Sequence, residues 1–425
     1  MIRTSRLFAQ SGLITLCIGL LFGLIAAIQF ISPDFLSGIP FYKARPLHVS
    51  LVVSWIFSVG ISACYSYLEE KSLLRFKTLS LIHWGLYNIT FVGIIISFFL
   101  GSFGGREYWA FAPAFVFPIL LSWILFAIIF FASVIKVKDW PVYLWMWATG
   151  IIIFIYTFCE ANTWTIDYFS NSAVREISIQ WKAYGSLVGS WNMLVYGTAI
   201  YLMEKISQSD TYSKSRIAFI LYFIGLTNLF FNWAHHVYPV PLSENIRLLA
   251  YGISMTELLI LGRIIWKWKS NLQENKAFKN MNSYALMVSS DFWVFFNLLL
   301  AILISIPVIN FFIHGTHVVV AHAMGSTIGI NSLILFAYLY YHKQQTRTKL
   351  FNTAYHLTNW SLGIFLTGLI LSGTLKGMAR HQGENYYQIV QTIEPYIHST
   401  LLSGCILFIG ITLLIISYFR SSQAN

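Results

Sequence analysis

Charge is what this sequence has least of. Only 10% of its 425 residues are Asp, Glu, Lys or Arg, against roughly 25% in a soluble domain. That is too little polar surface to wet a soluble exterior, so a cytosolic enzyme, a disordered chain and a nucleic-acid binder are all excluded. Cysteine is scarce as well. Cys17, Cys64, Cys159 and Cys405 are scattered through apolar runs, and no spacing among them suggests a zinc site or a disulfide. Long Gly-, Ser- or Pro-rich linkers, low-complexity tracts, soluble insertions and internal repeats are missing too, which leaves no visible domain boundary in 1–425.

What is present is apolar: 57% of the chain is hydrophobic and 17% aromatic. About twelve continuous apolar runs can be read, from 12–32 to 398–419. Each is near the roughly 20 residues that cross a bilayer as helix. The runs do not alternate, so a β-barrel is excluded. The first run is too long for a signal peptide and no small-residue cleavage site follows it. The expected fold is all-α: a polytopic membrane bundle of about twelve transmembrane helices.

The net charge of +11 has a topological origin. Nineteen of the 27 basic residues fall in one alternate set of loops, including Arg3, Lys71, Lys136, Lys205, Lys267, Lys343 and Arg420. The positive-inside rule places that set, and both termini, in the cytoplasm. In a bacterium the membrane would be the inner one.

The histidines are informative because of their depth. His48 opens the second run, 48–67, at its outer end. His235 and His236 lie near the outer end of the seventh, 216–238, just before Pro239. His322 lies about 8 Å into the tenth, 317–341. Ionisable groups inside a membrane are costly and mark function, and imidazole is a common ligand for iron, copper and zinc. Two adjacent imidazoles point roughly 100° apart on a helix. They converge on one metal only where the helix end is distorted, which Pro239 and Pro241 allow. His322 and Met324 point about 200° apart and face opposite sides of their helix. They can serve two cofactors, because haem iron accepts both His and Met. His48 with Met324 would complete a low-spin haem. His322 would hold a second, high-spin haem with its open face toward metal on His235 and His236.

These residues resemble the catalytic subunit of the haem–copper oxidase superfamily, most nearly cytochrome-c-dependent nitric oxide reductase. The resemblance runs over nearly the whole chain. Arg45-Pro46-Leu47-His48 resembles the low-spin haem ligand segment, and Gly104-Gly105-Arg106-Glu107-Tyr108 resembles an outer loop of the family. In that loop, the resemblance implies, Arg106 contacts haem propionates and Glu107 binds calcium. Arg380, at the same outer face, is a further propionate partner. Glu257, 22 residues after His235, matches a glutamate of nitric oxide reductases near the active site. Asn310 to Thr316, followed by His322, resembles the start of the family's tenth helix. The implied cofactors are a low-spin and a high-spin haem b, a non-haem iron or copper, and calcium. The implied catalytic residues are His235, His236 and Glu257. The implied partner is a membrane-anchored or soluble periplasmic c-type cytochrome.

The sequence departs from the family at two sites and lacks one further residue. Met324 stands where the family has a histidine, which should raise that haem's potential. In the sixth run, 182–203, the expected metal-binding His falls at Tyr184 or Gly185 and the expected Glu at Val188 or Gly189. The third metal ligand is missing: either another group completes the site, with Glu257 the nearest candidate, or the metal is weak or absent. The tyrosine of some oxygen reductases, six residues before the histidine pair, is Leu229 here. Glu257 and Leu229 favour reduction of NO to N2O. An oxygen-reducing cytochrome c oxidase subunit I of a divergent branch is the alternative. A non-catalytic haem electron-transfer or gas-sensing paralogue is the third reading.

Overall fold

A computed structural model describes residues 3–104, 106–231, 233, 238, 243–253, 255–256, 281–343 and 347–421. The described residues are helical. The nearest thing to a strand among them is one isolated antiparallel bridge, Phe103 to Phe111. They form two compact units, 1–242 and 243–425.

The first unit holds α1 (Thr4–Gln29), α2 (Phe41–Glu70), α3 (Lys77–Phe99), α4 (Val116–Val134), α5 (Val142–Ala161), α6 (Ala173–Ser207) and α7 (Arg216–Phe231). The second holds α8 (244–253), α9 (Asn282–Ser305), α10 (His317–Tyr341), α11 (Lys349–His381) and α12 (Tyr386–Arg420). Among the described residues, nine helices are long and apolar enough to span a membrane. The twelve expected spans are therefore legible as nine, with α7 a shorter apolar helix of 16 residues. The helix α6 is long enough but too polar to count.

Three expected boundaries moved for local reasons. The sixth run reads as 182–203, yet α6 starts at Ala173, where the Ser172 side chain caps the Arg175 N–H. Those added turns carry Arg175 and Glu176, which no hydropathy reading assigns to a span. The ninth run reads as 288–312, yet α9 ends at Ser305, because Pro307, lacking an N–H, begins the next short helix, Pro307–Ile313. Inside α10, the α-helical His317–Met324 passes into a π-helical stretch, Gly325–Ser332, before Leu333–Tyr341 resumes. Its sequence GSTIGINS is rich in poor helix formers, and π segments are frequent at functional sites.

Small residues bring α1 onto α2, as membrane helices require where lipid offers no hydrophobic drive. A Cβ on Gly12 would lie 2.8 Å from Val59 Cγ2, and one on Gly19 would lie 3.0 Å from Leu51 Cβ. At the end rich in Lys and Arg, Glu69 accepts the Thr4 N–H at 2.7 Å and so satisfies the start of α1. Glu70 there takes Tyr201 Oη at 2.8 Å and Lys205 Nζ at 2.6 Å, tying α2 to α6. Toward the other end the core is aromatic. Phe57 packs edge-on to Trp123 and Phe154, whose rings stack 3.7 Å apart.

Candidate functional site

His48 sits in the first turns of α2, its ring in a seat built by α1. A Cβ on Gly23 would lie 2.5 Å from His48 Nδ1, so only glycine leaves room for the imidazole. Nδ1 lies 2.8 Å from the Gly19 carbonyl oxygen. A carbonyl can only accept, so Nδ1 carries the proton and Nε2 keeps its lone pair. This is the outer hydrogen bond that orients a metal-ligating histidine. Gly23 and the Gly19 carbonyl escaped the sequence reading. Their one signal was glycine at spacings of seven and four along α1.

The turn before α10 is equally shaped. Gly315 takes a left-handed φ of +70°, and the Thr316 hydroxyl caps Val318 N. His317 Nδ1 meets Ser372 Oγ at 3.1 Å. One turn further, His322 Nδ1 is buried and has no hydrogen-bond partner. An unsatisfied buried polar atom costs about 1–3 kcal/mol, while the ring itself is hydrogen-bonded to the Asn297 backbone. Met324 ends the α-helical stretch. His322 and Met324 therefore lie on one regular helix and keep their 200° separation. Beyond them Gly325 and Gly329 hold α10 against α9. Cβ atoms there would lie 2.5 Å from Asn297 Oδ1 and 2.8 Å from Trp293 Cβ. The oriented His48 and the Gly23 cradle fit haem ligation, and His322 offers an imidazole held by the Asn297 backbone.

The metal site is a different case. His235, His236 and Glu257 lie outside the described residues. Among the described residues, no group of three His, Cys, Asp or Glu can hold a metal. On α6 the two positions of interest are committed to packing or left polar. A Cβ on Gly189 would lie 2.7 Å from Leu229 Cγ, so the Leu229 side chain of α7 occupies the space where a carboxylate would stand. Ser186 Oγ donates to the Leu229 carbonyl at 3.2 Å and locks the same contact. Tyr184 is 2% exposed, and its hydroxyl has no partner. Its ring stands edge-on to Tyr108 at 5.7 Å. Trp191, on the other side of Tyr108, also has a buried indole N–H without a partner. The described part of α6 does not fit a metal site.

The outer loop places its charges among protein partners. Arg106 forms an ion pair with Glu176 of α6 and lies over the Trp164 ring at 4.4 Å. Its Nε remains buried without a partner. Burial raises the Glu107 carboxyl above its ordinary value, and the Arg45 cation opposes that shift. Burial likewise raises the Tyr108 phenol. Arg380 donates to the carbonyls of Phe311, Phe312 and His314 at 3.3, 3.2 and 3.4 Å. Both arginines thus have partners within the chain. The Arg106–Glu176 pair went unread because no spacing rule joins residues 70 positions apart.

Known proteins place this arrangement. The profile of the family "Cytochrome C and Quinol oxidase polypeptide I" matches residues 3–406. The cbb3-type cytochrome c oxidase subunit CcoN1 of Stutzerimonas stutzeri is 21% identical over 454 residues, covering 99% of this chain and 94% of the relative. Cytochrome c oxidase subunit 1 of Rhodobacter capsulatus is 22% identical over 383 residues, 83% of this chain and 70% of the relative. Among solved structures, a cryo-EM structure of a haem–copper terminal oxidase dimer superposes with a TM-score of 0.75. It covers all of this chain and 85% of that one, at 15% identity. The chain is a multi-pass membrane protein and belongs to the haem–copper oxidase subunit I family of membrane oxidoreductases.

Proposed function

We propose that this chain is the catalytic subunit of a nitric oxide reductase. The reaction is 2 NO + 2 e⁻ + 2 H⁺ → N2O + H2O, with electrons from a c-type cytochrome on the outer side of a bacterial inner membrane. The observation that carries the reading is Leu229. This position, six residues before the histidine pair, holds a buried hydrocarbon seated on Gly189. Splitting O–O at a site of this class draws an extra electron and proton from a nearby phenol, whereas coupling two NO needs neither.

When bound, the haems supply an electron relay and an open coordination position on iron. His48 would hold one haem through Nε2, because the Gly19 carbonyl fixes Nδ1. Met324 offers a thioether to that haem and His322 an imidazole to the other. Glu257 would supply protons to the reaction or ligate the non-haem metal. Leu229 and Gly189 keep the face between α6 and α7 dry and apolar, which favours a small uncharged gas. Haem propionates would have to share Arg106 with Glu176 and Arg380 with the carbonyls of Phe311, Phe312 and His314; Glu107 would be the calcium ligand, and 1–425 would act as one catalytic domain.

A second reading is reduction of O2. It is favoured by the relatives, which are named as cytochrome c oxidases, and by the unpartnered Tyr184 hydroxyl, a phenol on α6 in place of the one missing from α7. The test is anaerobic turnover of the purified haem-loaded complex with reduced cytochrome c. The proposal expects one N2O for every two NO consumed. A complex that reduces O2 to water but leaves NO untouched overturns it in favour of the second reading. A haem-loaded complex that turns over neither gas overturns both.

A further inference from the structure

We infer that one face of α11 is a clamp that sets the height and rotation of His322 and Met324, with Ser372, Gly373, Gly377 and Arg380 as positioning residues. The inference rests on the haem-ligand reading above and goes beyond it. These four positions, spaced by one, four and three residues, share one helix face. All four act on the single turn that launches α10. A Cβ on Gly373 would lie 2.3 Å from Val318 N, and one on Gly377 would lie 2.3 Å from Phe312 O. Both contacts are with backbone, which cannot rotate away as a side chain can. Arg380 gathers the carbonyls of Phe311, Phe312 and His314, the unpaired end of the short helix Pro307–Ile313.

Ser372 completes the set with a directed hydrogen bond. Its hydroxyl donates to the Leu369 carbonyl at 3.1 Å, so toward His317 it must accept, and His317 Nδ1–H is the donor. The turn is thus held at four backbone atoms, Val318 N and the carbonyl oxygens of Phe311, Phe312 and His314, and at one side chain, His317, while its own Gly315 supplies the sharp bend. From His317 to His322 the chain is regular helix, a lever of about 7.5 Å. A shift imposed at the turn moves the whole lever, and with it both candidate ligands on its opposite sides.

The test compares optical spectra of the intact haem-loaded complex, reading the weak Met–iron charge-transfer band of the oxidised protein per haem. Gly377→Ala should lower that band at least twofold or shift it. Gly410→Ala is the control, because its Cβ would crowd the Thr358 backbone of the same helix α11 at 2.8 Å, away from the turn. It should lower thermal stability and leave the band per haem unchanged. Ser372→Ala should weaken the band, and Ser372→Thr, which keeps the acceptor, should restore it. This pair decides the matter if Gly377→Ala does not assemble. An unchanged band in Gly377→Ala, or equal loss in Gly410→Ala, overturns the clamp while the haem-ligand reading stands. A wild-type complex with haem but no such band overturns that reading and the clamp with it.

Discussion

The contact between Gly189 and Leu229 makes a prediction whose sign can be worked out. Replacing Gly189 by Ala in a helix gains about 1 kcal/mol of helix propensity. Here the new methyl would lie 2.7, 3.1 and 3.2 Å from Leu229 Cγ, Cβ and Cδ1, and overpacking of that kind costs about 1–3 kcal/mol. The net expectation for Gly189→Ala is a loss of about 0–2 kcal/mol. Leu229 is 5% exposed, so Leu229→Ala alone should cost about 2–5 kcal/mol. Once Leu229 is Ala, the contacts with Cγ and Cδ1 are gone, only the 3.1 Å contact with Cβ is left, and the propensity gain remains. Gly189→Ala should then stabilise the protein by up to about 1 kcal/mol, a change of sign that non-contacting residues do not show. Denaturant unfolding of the detergent-solubilised protein, followed by tryptophan fluorescence, measures all four corners of the cycle. Additive effects within about 0.5 kcal/mol would refute the claim that Leu229 fills the vacated ligand position on α6.

Three further expectations follow from other contacts. Gly23→Ala drives a methyl to 2.5 Å from His48 Nδ1, so the low-spin haem should be lost or bound about 10–100-fold more weakly, as when a ligand's outer hydrogen bond is removed; haem content on purification reads this. Glu176→Gln breaks an ion pair whose side chains keep 19% and 25% exposure. It should cost about 1–3 kcal/mol, less than a fully buried pair, and Arg106→Met with Glu176→Leu should recover most of it. His314 is held below the ordinary histidine value by burial first and by Arg380 second. The unfolded chain therefore binds a proton that the folded chain does not, and stability falls as pH drops below about 6.5 toward the folded value. Arg380→Gln removes one of the two causes, so this acid-side loss should shrink, even though lost carbonyl contacts lower stability at every pH. Unfolding midpoints between pH 7 and pH 4.5 would show an unchanged slope if Arg380 does not act on His314.

The membrane class and most of the helices were legible because hydropathy acts locally along the chain. The start of α6 was not, since its first turns are amphipathic and are set by the Ser172 cap rather than by apolar content. The break at Ser305 was missed because the apolar run continues through Pro307 to 312, and hydropathy does not register a lost N–H. The departure at α6 was visible as missing ligands, yet its physical content was not. Only the packed structure shows that Leu229 stands against Gly189 and that Tyr184 is left with an unpartnered hydroxyl. The grip of α11 on the α10 turn was hidden for the same reason: Gly373 and Gly377 have a familiar spacing, but spacing does not name the partner.

The claim on which the rest depends is that this chain carries two haems, one of them held through Met324. A pyridine haemochrome inventory, taken with the oxidised spectra of wild type and Met324→His, tests it directly. The account predicts two b-type haems per chain, a Met–iron charge-transfer band in wild type, and loss of that band in Met324→His with haem content unchanged. A wild-type protein with fewer than two haems, or with a band that survives Met324→His, would contradict it.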